Sequence, residues 1–413
     1  MPTFYVSALG SDKADGRSPE AAWATIQHAA DALPSGGSKV LFRRGDTFYG
    51  EFAPPLGCEV GAYGSGARPI LTMFKLLNRA EGWVEHSPGI WQINLGSPDT
   101  HGGYTSTPDA NIGFLLVDGV VKPALQLDIS MLKEPWDFHP DIPFNTLYVA
   151  APGNPAKLAA DIRAAPNGNF SNGSGAVIRC SNGANDVHDI HITGTGGCGV
   201  AGTGLDVHIH DCLIDFIGGS LLVNGRTNPR YGNGIQNWVN AKRWLIEDNE
   251  IAQVYDVAWT AQGTAGTDGG WEDLVFRRNH VHDCSQSIEF WSTGSASAAG
   301  FRRILVEGNL FERAGYSAFS DVRPNQNVRV QFLTYSWETP ADIVIQNNIF
   351  DQAFSAYAYN STEPIGCVSR NNTIHMRPGQ LIEFQRSETV NQFAAWQAAT
   401  GREMGSTLNV SVQ

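Results

Sequence analysis

LIEDNEIAQVYDVAWT (245–260) is the first of five copies of one pattern, in which alternating apolar residues lead through an asparagine into further β-rich sequence. The other copies are LVFRRNHVHDCSQSIEFW (274–291), ILVEGNLFERAGYSAFSD (304–321), IVIQNNIFDQAFSAYAYN (343–360) and CVSRNNTIHMRPGQLIEF (367–384). A repeat of this length with strands of period two is typical of a solenoid, because each copy can bury its apolar face only against its neighbours. The pattern therefore predicts a stack of coils.

One asparagine recurs in every copy. It falls at Asn249, Asn279, Asn309, Asn348 and Asn372, in steps of 30, 30, 39 and 24 residues. We expect it to be the left-handed residue that bends the chain between two strands, and its side chain to hydrogen-bond along the stack. Ordinary turn asparagines lead to the same structural expectation, so these residues are assigned no chemistry.

The composition favours an all-β protein with many tight turns. The chain has 413 residues, of which 45 are glycine and only 17% are charged. A solenoid of this length needs no division into compact domains, since it grows lengthwise. The net charge of −13 argues against a nucleic-acid partner, and more weakly against a polyanionic substrate, because the long-range potential opposes their approach.

Cysteines and apolar runs bear on the cellular context. The six cysteines form no CxxC motif and several lie among apolar strand residues, which favours buried, reduced thiols. No apolar run reaches the length of a membrane span, so no membrane partner is expected. The chain opens on FYVS without a charged and then apolar leader. Whether the protein is cytoplasmic, or Met1 replaces an export signal, is left open.

Four segments are predicted along the chain. They are an N-terminal cap with the first coils (1–78), a small inserted β subdomain (79–165), the main coils with a groove (166–390) and a C-terminal cap (391–413). Ser18 and Pro19 predict the start of a capping helix over 19–33. Longer loops are expected at 218–232 and 261–272, and loops on a regular scaffold often carry binding surfaces.

Three stretches resemble the right-handed parallel β-helix superfamily of carbohydrate-active enzymes, the pectate-lyase-like proteins. YVSALGSDKADGRSPEAAWATIQHAADALPSGGSKVLFRRGDTF (5–48) is similar to the entry strand, loop and capping helix of many members. WDFHPDIPFNTLYVAAPGNPA (136–156) resembles a small β module of β-helix glycoside hydrolases, and the coils over 176–384 match the general repeat. The resemblance implies an all-β parallel β-helix with an N-terminal capping helix and an inserted β subdomain, and an enzyme of glycoside hydrolase type.

The resemblance is architectural and carries no catalytic residue over. The superfamily also contains polysaccharide lyases, epimerases and phage tailspike depolymerases. The sequence lacks the polygalacturonase-type set of Asn-Thr-Asp, paired Asp-Asp and Gly-His-Gly motifs, and it has no lyase signature. The site must therefore be predicted from the geometry of the coil.

The third strand of each coil supplies the predicted groove. Side chains alternate between the two faces of a strand, so Glu289 and Trp291 face outward if Ile288 and Phe290 face inward. The same register adds Gln236, Trp238, Trp259, Phe319, Asp321, Tyr357, Tyr359, Glu383 and Gln385. Aromatic rings stack on sugar faces and carboxylates bond hydroxyls, so this wall favours a carbohydrate substrate. A ladder of stacked aromatics with solvated acids is the structural alternative.

Glu289 and Asp321 are the predicted catalytic pair. They stand one coil and one pleat apart, so we expect their Cα atoms to lie about 8 Å from each other. Such positions allow carboxyl separations of about 5–10 Å, which covers both retaining and inverting glycoside hydrolysis. Trp291 and Phe319 would raise the pKa of the buried acid, so Glu289 is the predicted general acid and Asp321 the base or nucleophile.

Further residues are predicted to replace or support this pair. Glu383 and Asp256 are substitutes for either acid, and Glu383 is also a candidate for binding a substrate hydroxyl. Arg323 is expected to keep the neighbouring acid ionised, or to form a plain surface ion pair. Asp268 and Trp271 are expected to overhang the groove, with a flexible surface loop as the alternative.

Two histidine pairs raise the question of a metal. His208 and His210, and His280 and His282, share strand faces, but no acidic third ligand stands at a diagnostic spacing. We therefore expect no metal and no cofactor.

Three functions follow as hypotheses. A glycoside hydrolase acting on a neutral or weakly charged glycan leads. A polysaccharide lyase needs Lys, Arg, His or calcium beside a uronate, and the predicted groove offers Arg323 and Arg386 but no lysine. The third is a glycan-binding β-helix without catalysis, such as a trimeric tailspike, although caps at both ends favour a self-contained enzyme. Carbohydrate is the expected partner, and a homo-oligomer is left open.

Overall fold

The structure is a computed structural model, and it describes most of the chain. The described residues are 1–96, 103, 109–168, 175–222, 229–265, 269–293, 299–325, 329–335, 340–359 and 366–411.

Three long parallel sheets form the body of the protein, and each is built from strands of successive coils. The first sheet contains Thr3–Val6, Ser38–Arg43, Cys58–Tyr63, Asp186–His188, Leu205–His210, Lys242–Glu247, Gly270–Arg277, Gly300–Glu307, Ala341–Gln346 and Cys367–Arg370. The second sheet contains Thr47–Tyr49, Ile70–Thr72, His191–Thr195, Leu213–Ile217, Glu250–Val254, His280–His282, Leu310–Ala314, Ile349–Ala353, Thr373–Met376 and Thr407–Val410. The third sheet contains Ala176–Arg179, Cys198–Gly202, Ile235–Trp238, Val257–Gly263, Gln286–Ser292, Val330–Tyr335, Ser355–Tyr359, Leu381–Glu383 and, antiparallel at its end, Glu388–Thr389. The predicted right-handed parallel β-helix is confirmed.

The insertion folds into two small antiparallel sheets. One contains Val120–Lys122, Ile112–Val117, Ile162–Pro166 and Lys75–Leu76, and the other contains Phe138–Asp141, Thr146–Ala150, Ile90–Asn94 and Trp83–Ser87. Trp83, Phe138 and Leu147 belong to a core that is separate from the interior of the coils. The predicted segment boundaries themselves stay a prediction.

Helices are few and short among the described residues. The α-helices are Ile26–Ala32, Pro155–Leu158, Ala318–Asp321 and Phe393–Thr400, and 3-10 turns lie at Pro19–Ala21, Ala80–Gly82, Ile129–Met131, Ile142–Phe144 and Val390–Gln392.

The N-terminal cap contains a shorter helix than predicted. Ser18 caps only a 3-10 turn, with Ala21 N–H donating to its hydroxyl at 3.2 Å. Trp23 then pairs with the first strand through its own N–H, which donates to Tyr5 O at 2.9 Å, and this pairing interrupts the helix. The α-helix begins only after Thr25, whose side chain accepts from His28 N–H. A continuous helix over 19–33 is therefore wrong.

The repeated asparagines form a buried ladder. The backbone N–H groups of Asn249, Asn279, Asn309 and Asn348 each donate to the side-chain oxygen of the next ladder asparagine, at 2.9–3.1 Å, and the ladder ends at Asn372. The expected hydrogen bonding along the stack is confirmed. The left-handed residue, however, is the one before each asparagine, such as residue 278 with φ 53°. The bend and the ladder thus use neighbouring positions.

Two corners of the coil differ in regularity. The Asn corner joins the first and second sheets at 248–249, 278–279, 308–309, 347–348 and 371–372. The cleft corner joins the second and third sheets. Its connections are the insertion (73–175), two long excursions (218–234 and 315–329) and short turns at 196–197, 255–256, 283–285, 354 and 377–380. Three large segments therefore project from one corner of the stack.

Candidate active site

A cleft of about 700 Å³ lies at the cleft corner. Its walls come from the insertion, from the 218–234 excursion, from one tight turn and from the 315–329 excursion. The lining residues are Ala124, Leu125, Gln126, Leu127, Met131, Leu221, Pro229, Arg230, Tyr255, Val322, Arg323, Pro324 and Asn325. A concave site of this volume with apolar walls and a few charged groups is typical of a pocket for a small ligand or an oligosaccharide unit.

Tyr255 and two arginines organise the cleft. The guanidinium of Arg230 lies 4.4 Å from the centre of the Tyr255 ring, and that of Arg323 lies 5.3 Å from it. Arg230 donates to three backbone carbonyls, those of Gly219, Pro123 and Gly113, at 2.7–3.0 Å. Arg230 thus ties the insertion to the 218–234 excursion and shapes the wall.

Asp256 follows Tyr255 in the same tight turn and is held on two sides. Its Oδ1 accepts from Gln286 Nε2 at 3.0 Å and from Arg323 Nη1. Arg323 also donates to the carbonyl of Tyr255 at 3.0 Å, so the ion pair is fixed to the turn itself. A charge-assisted pair of this kind is stronger than a neutral hydrogen bond, and it fixes the position of the Asp256 side chain.

Glu289 is the second carboxyl group of this site. It lies on the outward row of the third sheet, in register with Thr260 and Leu333, and only 9% of its surface is exposed. Burial, and after it the negative charge of Asp256, raise the pKa of Glu289 to about 8, against the opposing effect of Arg323. Glu289 therefore carries a proton at neutral pH while its neighbour Asp256 is ion-paired.

This arrangement suits acid–base chemistry. A protonated carboxyl group can give a proton to a leaving oxygen, and an ionised carboxylate can activate water or attack a carbon. Gln286 Oε1, beside Asp256, is buried and has no hydrogen-bond partner within the described part of the chain.

Asp321 does not lie where the sequence placed it. The segment around it is the short helix Ala318–Asp321, capped by Ser317, and not a strand. Its side chain is 73% exposed and pairs with Arg329 at 3.2 Å. The strand of this coil is Val330–Tyr335, so the predicted alignment of Asp321 with Glu289 is wrong. Arg323 bonds to Asp256, not to Asp321.

Several aromatic residues predicted for the groove lie inside the protein. Trp259 and Trp271 are in the coil interior, stacked on Phe276 and Phe301 at centroid distances of 4.8 and 4.3 Å. Trp271 lies in the strand Gly270–Arg277, so it cannot overhang a groove.

Tyr357, Tyr359 and Phe319 are buried as well. The two tyrosines are in register with Phe332 and Thr334, which places them on the inner face of the third sheet. Phe319 packs instead against Phe114 of the insertion, at a centroid distance of 5.1 Å. The outward orientation predicted for these three rings is wrong.

The remaining predicted residues divide between structure and surface. Glu383 is buried and accepts from Trp396 Nε1 at 2.7 Å and from Arg402 at 3.0 Å, so it anchors the C-terminal helix. Gln385 is exposed and accepts from the backbone N–H of Tyr359 at 2.7 Å. Asp268 lies outside the described residues.

Gln236, Trp238 and Trp291 lie on the outer face, as predicted. Gln236 is in register with Thr260 on the row of Glu289, and it is buried. Trp238 and Trp291 are half-buried on the next outward row, with Gln262 between them. These rings extend the polar row of the site with an apolar surface. Their role in binding stays a prediction.

Arg230, Tyr255 and Gln286 were missed by the sequence prediction. The signal for them is the position of the long connections: the 218–234 and 315–329 excursions flank, in the stack, the tight turn at 255–256. All of these connections start from the second sheet, and Tyr255 of that turn lines the cleft.

A separate group of metal-ligand type is present on another face. Asp186, His208 and His210 form such a group on the first sheet, within the residues that the structure describes. Coil stacking brings Asp186 to the histidines, which sequence spacing could not show.

Comparisons with known proteins give a fold and no family. No protein-family model matches the sequence, and no curated protein matches it. Among solved structures, XylC in complex with xylose has a TM-score of 0.51 at 10% identity, over 98% of this chain and 83% of that chain. A structure named as a glycoside hydrolase gives 0.49 at 8% identity, over 99% and 96%. A GH136 lacto-N-biosidase from Eubacterium ramulus gives 0.40 at 10% identity, over 100% and 68%.

Two of these structural neighbours are named as glycoside hydrolases, and all three have low sequence identity to this chain. The similarity to XylC supports the same architecture, a parallel β-helix, and at 10% identity it reaches no further than the fold. Within the described ranges, no helix combines the length and the apolar character that crossing a membrane takes.

Proposed function

We propose that this chain is a glycoside hydrolase that uses Glu289 as general acid and Asp256 as base or nucleophile. The observation that carries the proposal is the buried carboxyl group of Glu289, with a pKa of about 8, beside the ion-paired carboxylate of Asp256. Arg323 contacts Asp256 and lines the cleft, so the ion pair of Asp256 adjoins the cleft wall.

The physical basis of the proposal is that two carboxyl groups take two different catalytic roles, one as acid and one as base or nucleophile. Glycoside hydrolysis needs one carboxylic acid to protonate the leaving oxygen and one carboxylate to act at the sugar carbon. Burial keeps Glu289 protonated at neutral pH, and Arg323 forms an ion pair with Asp256. Two neighbouring carboxyl groups in unlike environments, one buried and one ion-paired, are the usual sign of such an assignment.

A sugar substrate is supported by the walls of the cleft. The cleft combines aliphatic side chains such as Leu125 and Leu127 with the polar groups of Arg323 and Asn325. Sugar rings present apolar faces and hydroxyl edges, which fit walls of this mixed kind. XylC, which shares the architecture, has been solved with xylose, and this supports a saccharide as the ligand class.

A polysaccharide lyase is the second candidate, since Arg230 and Arg323 bring positive charge to the cleft. A lyase must neutralise a uronate and remove an adjacent proton with a base. Arg230 already donates to three carbonyls and Arg323 to Asp256, so both guanidinium groups are engaged in the protein. The lining has no lysine or histidine among the described residues. Hydrolysis is therefore favoured.

A panel of oligosaccharides and polysaccharides separates the three functions. The protein is incubated with each glycan, and new reducing ends and ultraviolet-absorbing unsaturated products are both measured. Hydrolysis releases reducing ends without ultraviolet absorbance, whereas a lyase releases both. Binding of a glycan without either product, across pH 4–9 and with or without calcium, would instead identify a carbohydrate-binding protein.

A further inference from the structure

Three stacked imidazole rings lie on the outer face of the first sheet. The centroids of His208 and His210 are 4.1 Å apart, and those of His188 and His210 are 5.0 Å apart. The strand Asp186–His188 pairs in parallel with Leu205–His210, which sets Asp186 beside His208. Two neighbouring coils thus bring these side chains together on a face that the proposed glycosidase chemistry does not use.

One carboxylate oxygen is shared between two of the rings. Asp186 Oδ1 lies 3.1 Å from His210 Nε2 and 3.3 Å from His208 Nδ1. Around a zinc ion with ligand distances of about 2.0–2.2 Å, the ligand atoms of a tetrahedron stand about 3.3 Å apart. The two distances from Asp186 Oδ1 therefore match the edges of such a tetrahedron, and the ligand atoms of the three residues all lie within 4.8 Å of one another.

The second nitrogen of each ring meets another carboxylate. His210 Nδ1 lies 2.7 Å from Asp211 Oδ2, and His208 Nε2 lies 3.1 Å from Glu247 Oε1. A neutral imidazole has one N–H to donate. When it is donated to Asp211 or Glu247, the lone pair of the ring faces Asp186. Carboxylate–histidine–metal sites orient their rings in this way.

We infer that Asp186, His208 and His210 bind a divalent transition-metal ion of the zinc class. Two imidazole nitrogens and one carboxylate oxygen suit zinc or cobalt, whereas magnesium and calcium prefer oxygen ligands alone. The ligands come from two successive coils, and the side chains are 23–44% exposed, which leaves the fourth position to water. The ion links these coils, so its binding stabilises the folded chain.

The second sheet offers a matched control. The ring centroids of His280 and His282 are 4.7 Å apart, but the first ring contacts Glu312 and the second contacts Glu250 and Asp283. Within the described residues these two rings share no carboxylate oxygen. This pair therefore has two neighbouring histidines, as the proposed site does, but it lacks a carboxylate oxygen that faces both rings.

The test uses the full chain freed of metal with a chelator, then titrated with Co²⁺ and, in competition, with Zn²⁺. We expect one equivalent of Co²⁺ to give the visible absorption of a tetrahedral site and Zn²⁺ to displace it. Zn²⁺, but not Mg²⁺ or Ca²⁺, should raise the Tm. The variants Asp186→Asn and His210→Gln should each weaken Co²⁺ binding by more than about 100-fold, and Asp211→Asn by about 10–100-fold.

His280→Gln should bind Co²⁺ like the unmodified protein. Thermal unfolding of each metal-free variant checks that it folds, so a lost signal reports the site and not a lost fold. The inference is overturned if Co²⁺ gives no tetrahedral absorption and Zn²⁺ no rise in Tm. It is equally overturned if the signal survives both ligand variants, or if His280→Gln abolishes it.

Discussion

The Asn corner and the cleft corner belong to the same coils, yet they differ in almost every respect. At the Asn corner each coil turns in the same few residues, and buried amides such as that of Asn309 repeat one hydrogen bond from coil to coil. At the cleft corner the connections range from a single residue (354) to a whole insertion (73–175). The regular corner holds the stack together, while the irregular corner encloses the cleft.

This contrast shows where a solenoid can carry a site. A tight, repeated turn has no room for a concave surface, because every coil covers the next in the same way. Long connections on both sides of a tight turn leave a recess, and the residues of that turn line its base. Asp256 occupies such a turn, and Glu289 lies one coil further along the stack.

The largest expected effect comes from the acid of the cleft corner. Glu289→Gln removes the transferable proton while keeping the size and hydrogen-bonding shape of the side chain. Loss of a general acid lowers kcat by about 10²–10⁴-fold. The measurement is steady-state hydrolysis of the best glycan from the panel.

Glu307→Gln is the matched control for this variant. Glu307 is also a glutamate at a strand position of the coils, but it lies on the first sheet and accepts from Gln346 and Asn347. Its variant should keep full activity. Unchanged turnover in Glu289→Gln would remove the acid from the proposal.

The second prediction concerns pH and the same residue. The pKa of Glu289 is about 8 in the folded protein, against an ordinary value of 4.5 for a glutamate side chain. Below pH 4.5 the Glu289 carboxyl group is protonated in both the folded and the unfolded chain. As the pH rises from 4.5 toward 8, the unfolded chain releases this proton first, so the folded state loses stability relative to the unfolded state. Each unit of the interval corresponds to about 1.4 kcal/mol, so Glu289→Gln should become more stable than the parent by a few kcal/mol at pH 9.

Denaturant unfolding at several pH values between 4 and 9 measures this difference. Titrating groups that do not interact with Glu289 are common to both proteins and cancel in this difference. The Asp256→Asn substitution removes the negative charge that helps to raise the pKa of Glu289. In that background the pKa of Glu289 should be raised less, so the stability difference between Glu289→Gln and its parent should also be smaller. A difference that does not change with pH would contradict the raised pKa.

The third prediction tests the Asn corner. Asn309 donates to Phe276 O at 3.0 Å and accepts from the N–H of Asn279 at 2.9 Å. Asn309→Ala leaves these buried groups unpaired, which should cost about 1–3 kcal/mol in the free energy of unfolding. Activity of the folded protein should be unaffected, because the ladder lies away from the cleft. Urea unfolding and a glycan assay check both statements.

Asn347→Gly is the control at the same corner. Residue 347 has φ 57°, a conformation that glycine adopts freely, and its side chain is exposed. The change should alter the free energy of unfolding by less than about 0.5 kcal/mol. An equal loss in both variants would mean that the backbone bend, and not the amide ladder, stabilises this corner.

The repeated corner was predictable from sequence because its signal is local. An asparagine at a fixed place in an alternating strand fixes both the coil and its stacking. It was harder to predict which face of a strand points into the core and which points outward. In the segment 355–359, alanine and tyrosine alternate, and the large rings of Tyr357 and Tyr359 fill the core while Ala358 lies on the outward row, in register with Leu333. Alternation separates two faces but does not say which is buried.

The cleft corner was less predictable because its contacts join distant segments. Asp256 and Glu289 were both candidates, but their partnership depends on Arg323 arriving from a long excursion. One signal for that excursion was available. The step from Asn309 to Asn348 is 39 residues, nine more than the step before it. The extra residues move the third strand of that coil to Val330–Tyr335 and leave Asp321 on a surface helix.

Asp321→Asn is the smallest expected effect, and it decides between the two assignments of the second carboxylate. Its ion pair with Arg329 is 73% exposed on the Asp321 side, and exposed pairs contribute about 0–1 kcal/mol. We expect unchanged kcat/KM and a change in the free energy of unfolding below about 1 kcal/mol, whereas Asp256→Asn should lower kcat/KM by orders of magnitude. If Asp321→Asn abolished hydrolysis and Asp256→Asn did not, the strand alignment drawn from sequence would identify the partner of Glu289 better than the ion pair at the cleft corner does.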